Sequence, residues 1–198
     1  MDWKRLDHNQ TGAVLEQIAS VSDSGLFSKE HSEASFKPLN FYQEFMIYRI
    51  VNYATLPSFS MEFLSNGESF HLLDGSPHPI NIANRIGGLY LTESNVIDYA
   101  DFYLANIRAD DGDIYMIRDV DNLAFIDSLS PDQQASLKEK HIQPSVMIDK
   151  DSSNFIILAD LFYCGTLLNS AIIVTQSGEL EFKPRSMIMS ASQSFGEA

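Results

Sequence analysis

Two long apolar runs and one alternating run, punctuated by Cys164-Gly165 and Gln176-Ser177-Gly178, predict a three-stranded antiparallel meander over residues 155–185. With those two breaks as the turns, Asp160 opposes Asn169, and Ile172 opposes both Ile157 and Phe182. One face of the meander then carries Phe155, Ile157, Ala159 and Leu161 from the first strand. Leu168, Ile172 and Val174 follow from the second, and Leu180 and Phe182 from the third. Ser170 is the single polar member of that face. A slip of one residue would turn a whole apolar set away from its neighbours, so the pattern specifies the register.

The same reading along the rest of the chain gives alternating helices, strands and loops. Val14, Leu15, Ile18 and Val21 have the spacing of one helix face, with Thr11 placed to cap it. Residues 22–38, rich in Ser, Glu and Lys with isolated Phe27 and Phe36, read as a mobile surface segment. β-branched and aromatic enrichment around Ile47, Ile50, Val51 and Tyr53 favours a strand within 41–53. Asn66-Gly67 between alternating runs predicts a hairpin over 60–73 with a two-residue type I′ turn, which sets Phe63 opposite Phe70 and Glu62 opposite His71. A carboxylate facing His71 would raise its pKa. Two prolines and a glycine within 74–79 read as a loop.

A helix is predicted over 93–107, capped by Thr92, with Val96, Ala100, Tyr103, Leu104 and Ile107 on one side. Residues 114–117 read as a short strand. Ser130-Pro131 opens a helix that ends near His141, with Gln133 completing a capping box. A further short strand covers 146–148.

Charge narrows the choice of partners. The 198 residues include 27 acidic and 13 basic side chains, a formal net charge of −14, which repels nucleic acid and anionic membrane. A basic or amphipathic protein partner is compatible with it. The chain has one cysteine, so neither an internal disulfide nor a cysteine cage for a metal is available, and a reducing compartment fits. With no signal-like hydrophobic region at the N-terminus and no membrane-length apolar run, a cytoplasmic location is expected. No metal and no cofactor is implied.

Three groups of residues carry candidate chemistry. Asp149, Asp151, Ser153 and Asp160 follow the spacing of a calcium loop, but Asn154 replaces the glycine of the sharp turn and Asp160 is shorter than the usual glutamate. A polar hairpin loop is the favoured reading. Asp110, Asp111 and Asp113 fit that template less well and read as a solvated turn. Cys164 lacks any nucleophile signature and reads as a partly buried, inert thiol.

On the second face of the meander, the register aligns Asp160, Asn169 and Arg185 across three strands, a row able to orient a polar ligand or to close an ion pair. Pro184 confines the third strand to an edge. Ile156, Leu158, Phe162, Leu167 and Ile173 make the remainder of that face apolar, so it needs a cover. A twin subunit is favoured over the 130–141 helix or the 22–38 segment.

These readings describe one α+β domain over residues 1–198, with an antiparallel sheet of roughly five to seven strands and two or three helices mainly on one face. The leading function is a non-catalytic binding protein for a protein partner or small ligand, of an acidic adaptor or chaperone kind and homodimeric. The alternative is a small hydrolase in which His71 or His78 meets a carboxylate and a nucleophile.

Overall fold

The alternating runs become strands in the computed structural model, which describes residues 2–21, 25–108, 112, 114–123 and 125–190. The strands are antiparallel throughout and fall into two five-stranded sheets rather than one. Each sheet belongs to a compact unit, residues 1–90 and residues 91–198. The α+β class expected from the sequence is therefore present. The division was not visible in composition, because Gly87-Gly88 leads into Leu89 and Leu91 without a polar linker.

The first unit runs β1 (Lys4–Arg5), α1 (His8–Ile18), β2 (Ser32–Pro38), β3 (Met46–Asn52), β4 (Phe59–Ser65), β5 (Phe70–Leu72) and α2 (His78–Ile86). The sheet order follows the chain. Asp7 caps α1, accepting from the Gln10 amide at 2.8 Å while Gln10 accepts from the Asp7 amide at 3.0 Å. This reciprocal pair leaves the expected cap, Thr11, buried inside the helix. α1 contributes Ile18 to a cluster with Ala34, Ile50, Phe63 and Phe70.

Residues 32–38 are therefore part of the sheet, not a surface segment. Ser32 and Ala34 are buried in β2 and alternate with the half-buried Glu33 and Ser35, a period of two that the Ser and Lys content hid. Residues 22–24 of that segment lie outside the described residues. The prolines of the expected loop at 74–79 also have another role: Pro79 opens α2, whose Ile80 and Ala83 are buried.

The hairpin is present with a different register. Ser65 pairs with Phe70, Leu64 with His71 and Phe63 with Leu72, so residues 66–69 all belong to the connection. Asn66 Oδ1 accepts from the Glu68 and Ser69 amides at 3.1 and 3.0 Å, and this side-chain turn competes successfully with the two-residue turn. The displacement keeps each side chain on its face. Phe63 and Phe70 still meet, edge to face, with ring centroids 6.3 Å apart. Glu62 instead opposes Arg49 and accepts from its Nε at 2.7 Å.

The second unit runs α3 (Val96–Asn106), β6 (Ile114–Ile117), α4 (Pro131–Lys140), β7 (Ser145–Ile148), β8 (Phe155–Tyr163), β9 (Thr166–Val174) and β10 (Leu180–Ser190). β8, β9 and β10 form the meander, with the expected register as far as Pro184: Asp160 opposes Asn169, and Ile172 opposes Ile157 and Phe182. β6 and β7 share the other edge of β8. α3 packs on the first face of the meander, burying Val96, Tyr99, Ala100 and Leu104. The buried Tyr99 hydroxyl donates to the Gly178 carbonyl at 2.6 Å and ties the helix to the β9–β10 turn.

The second face acquires its cover from the chain itself. Short turns at Val120–Asn122 and Ile126–Ser128 lead into α4, which starts at the expected Ser130–Gln133 capping box. Val120, Leu123, Ile126, Leu129 and Leu137 pack with Leu167, and Phe162, Ile188 and Met189 join them. The expected twin subunit is thus not needed over Phe162 and Leu167.

Candidate ligand cleft

Asp160 is 2% exposed and lies at the centre of a closed hydrogen-bond network. Its Oδ2 accepts from the Ile142 amide at 2.9 Å and lies 2.7 Å from His141 Nδ1. Its Oδ1 accepts from Asn169 Nδ2 at 3.2 Å. The remaining imidazole nitrogen lies 3.2 Å from Gln143 Nε2. Both oxygens of the carboxylate are engaged, and the network joins the end of α4 to the middle of β8 and β9.

Arg185 does not join this row. A bulge between Pro184 and Ser186 sets Ser186, not Arg185, opposite Asn169, and Arg185 is exposed. The bulge follows from Pro184, which lacks the amide that a regular ladder needs. His141 is the third member instead. It is far from the meander in sequence, so no register argument could have brought it in.

The calcium spacing dissolves for the same reason. Asp160 is committed to the second face, while Asp149 folds back on its own loop. The Asp149 side chain accepts from the Asp151 and Ser152 amides at 3.4 and 3.3 Å. The Ser152 hydroxyl, then the Asp151 amide, hold its carboxyl below the usual range. The favoured hairpin loop is the observed one. Asp110, Asp111 and Asp113 lie outside the described residues. Cys164 is exposed at the β8–β9 turn with φ +50°, not partly buried as expected.

His71 is not arranged as a base. Ser69 Oγ lies 3.3 Å from His71 Nε2, but the serine donates its proton to Asn66 Oδ1 at 3.2 Å. That commits the hydroxyl away from the imidazole. Glu62, the carboxylate expected opposite His71, is paired with Arg49, and Phe45 stacks on the imidazole.

Burial first, then the charge of His78, lowers the His71 pKa below 6.5, the reverse of the shift expected from the hairpin register. With the folded pKa depressed, the unfolded chain binds more protons between the two values. The contribution is therefore fully present above the unfolded pKa and is lost as pH falls through that window. An NMR titration of His71 is expected to show a midpoint below 6.5, and a midpoint above it would restore a carboxylate partner.

A concave feature of the second unit lies elsewhere, on the first face of the meander beside the last turn of α3. It is a cleft of about 310 Å³. The helix side supplies Tyr103 and Leu104, with Ile107 just beyond, and β6 supplies Ile114. The sheet supplies Leu161 and Tyr163 from β8, Leu168 and Ser170 from β9, and Phe182 and Pro184 from β10. Leu104, Leu161 and Ser170 are buried, at 3%, 3% and 1% exposure. Phe182 is 36% exposed, on the edge strand.

One polar group in this cleft is without a partner. The Ser170 hydroxyl is buried and makes no hydrogen bond among the described residues. The register explains why: its cross-strand neighbours are Ala159 and Pro184, neither of which has a polar side-chain atom. An unsatisfied buried hydroxyl costs about 1–3 kcal/mol, so it stands out in a face otherwise built for packing. The sequence already showed Ser170 as the polar exception in that face, though not that a cavity adjoins it. Tyr103 is the second polar lining group of interest. Its phenol is pushed up in pKa by burial and then by the Glu179 carboxylate, and so stays a neutral donor.

The first unit has a cleft of about 270 Å³ of different character. Arg5, His8, Lys29 and His31 line it together with Glu30 and Glu33, so it presents no field of one sign. Arg5 is paired with Glu33.

No helix among the described residues is long and apolar enough to cross a membrane. Compared with known protein families, with curated proteins and with solved structures, the chain shows no significant match to any of them.

Proposed function

We propose that this protein is a non-catalytic binding protein whose 91–198 unit holds a small, mostly apolar ligand in the cleft between α3 and the meander. The observation that carries this reading is Ser170, whose buried hydroxyl has no partner among the described residues, in the lining of a mostly apolar cleft. Ligand sites combine an apolar enclosure with a few placed polar groups, and their volumes begin near 300 Å³. The ligand supplies the hydrogen bond that the fold withholds from Ser170. The reading keeps a cytoplasmic location, with which the single cysteine is compatible, and it favours a small ligand over a basic protein client.

Two measurements test it. Methyl NMR of Ile114, Leu161 and Leu168 during titration with octanol should show saturable shifts confined to the cleft, and Leu168→Trp should abolish them by filling the space. Shifts spread over the whole surface, or none, would remove the reading. Separately, Ser170→Ala should raise the stability of the ligand-free protein by about 1 kcal/mol, because it deletes a desolvated hydroxyl without opening a cavity. Chemical denaturation reads this directly, and a loss of stability would mean that the hydroxyl is already satisfied.

A further inference from the structure

We infer that the ligand of this cleft is electrically neutral, an alcohol, phenol or similar uncharged amphiphile rather than a fatty carboxylate or an amine. This rests on the cleft being a ligand site and specifies its chemistry. The argument begins with what lines the cavity. Among the described residues its polar side chains are hydroxyls, those of Ser170, Tyr103 and Tyr163, and no described lysine, arginine, histidine or carboxylate lines the wall.

An ionised headgroup entering such a space gives up its water and meets no counter-charge. That penalty is large unless the ion is paired. A carboxylate faces a further penalty. Burial first, and then the charge of Glu179, raises the Tyr103 pKa, so an anion beside Tyr103 would meet the like charge of Glu179. The net charge of −14 adds a long-range repulsion in the same direction. An ammonium would be attracted by that field at a distance. Inside, it would require three acceptors where Ser170 offers one oxygen, and it would meet the same apolar walls.

A neutral hydroxyl fits the group that is present. Ser170 can donate to it or accept from it, because a serine hydroxyl rotates to suit its partner. Ser170 lies among the most buried lining residues with Leu104 and Leu161, while the more exposed Phe182 and the neighbouring Pro184 are apolar. The polar end of the ligand therefore points inward and its hydrocarbon lies along Leu168 and Phe182. This is opposite to a surfactant-like pose with the headgroup in water. An ionic ligand would have to adopt that pose, and would then gain nothing from Ser170.

The experiment compares three probes of equal chain length, octanol, octanoate and octylammonium, titrated into the full chain at neutral pH. The readouts are calorimetry and the cleft methyl shifts. Octanol is expected to bind at least about tenfold more tightly than either ion. Ser170→Ala should weaken octanol by roughly three- to tenfold and leave the ionic probes unchanged. Octanoate or octylammonium binding as tightly as octanol, with cleft methyls shifted, would overturn neutrality while leaving the cleft as a ligand site. Failure of all three probes to shift those methyls would instead remove the site itself. Octanol binding that is indifferent to Ser170→Ala would overturn the inward pose and the inference with it.

Discussion

Asp160→Ala is expected to lower stability by about 3–5 kcal/mol, the cost typical of removing one partner from a buried, hydrogen-bonded charged group. Three donors lose their acceptor at once: the His141 imidazole, the Ile142 amide and the Asn169 amide group. None can turn to water without opening the joint between α4 and the meander, since the His141 side chain is 9% exposed and Asp160 2%. Asp160→Asn keeps the shape but points an amide N–H at a donor, so it should cost less than the alanine variant yet remain destabilising. Amide exchange in β8 and β9, together with chemical denaturation, measures both. A loss below about 1 kcal/mol for alanine would mean that the network repartners, and that Asp160 does not hold the end of α4.

Phe63→Ala should cost a similar amount, about 3–5 kcal/mol, by a different mechanism. Phe63 is 0% exposed and sits opposite both Tyr48 and Leu72 in the first sheet. It packs in one cluster with Ile18 of α1, Ala34, Ile50 and Phe70. Truncation removes its transfer free energy and leaves a void between a helix and a sheet that close only partly over it. The single tryptophan reports on this unit, because the Arg49 guanidinium stacks over the Trp3 ring at 4.4 Å on the neighbouring strand. Its fluorescence midpoint in denaturant should therefore fall with the substitution. A midpoint unchanged from the parent would show that α1 collapses onto the sheet and fills the space.

The two effects differ in how far the sequence announced them. Phe63 could be placed on an inward face from alternation alone, and it stayed there even though the pairing moved. Sheet parity has a period of two, so a register displaced by two residues leaves every side chain on its own face. What moved was the cross-strand neighbour. Glu62 met Arg49 instead of His71, and the sign of the His71 shift reversed with it. Local pattern thus carried the face reliably and the polar pairing poorly.

Helix starts followed the same division. Ser130 and Gln133 form their capping box as read, because both residues of the box are local. Pro79 was legible only as a breaker, since the same residue type both ends loops and opens helices. What separated the two was the burial of Ile80 and Ala83.

The sequence by itself determined the meander, its register as far as Pro184, and the identity of the one polar residue on its first face, because strong two-period patterning leaves a single pairing that keeps the apolar side chains on shared faces. Tertiary structure alone decided three things. The strands divide between two sheets, since a run of apolar residues does not say which neighbours it will find. Asp160 is completed by His141 rather than Arg185, since Pro184 forces a bulge and the residue just past α4 is delivered from another part of the chain. Ser170 lines a cleft, since that depends on where α3 ends over the sheet, and the spacing of α3's apolar residues sets which of its sides faces inward, but not how completely it covers the sheet.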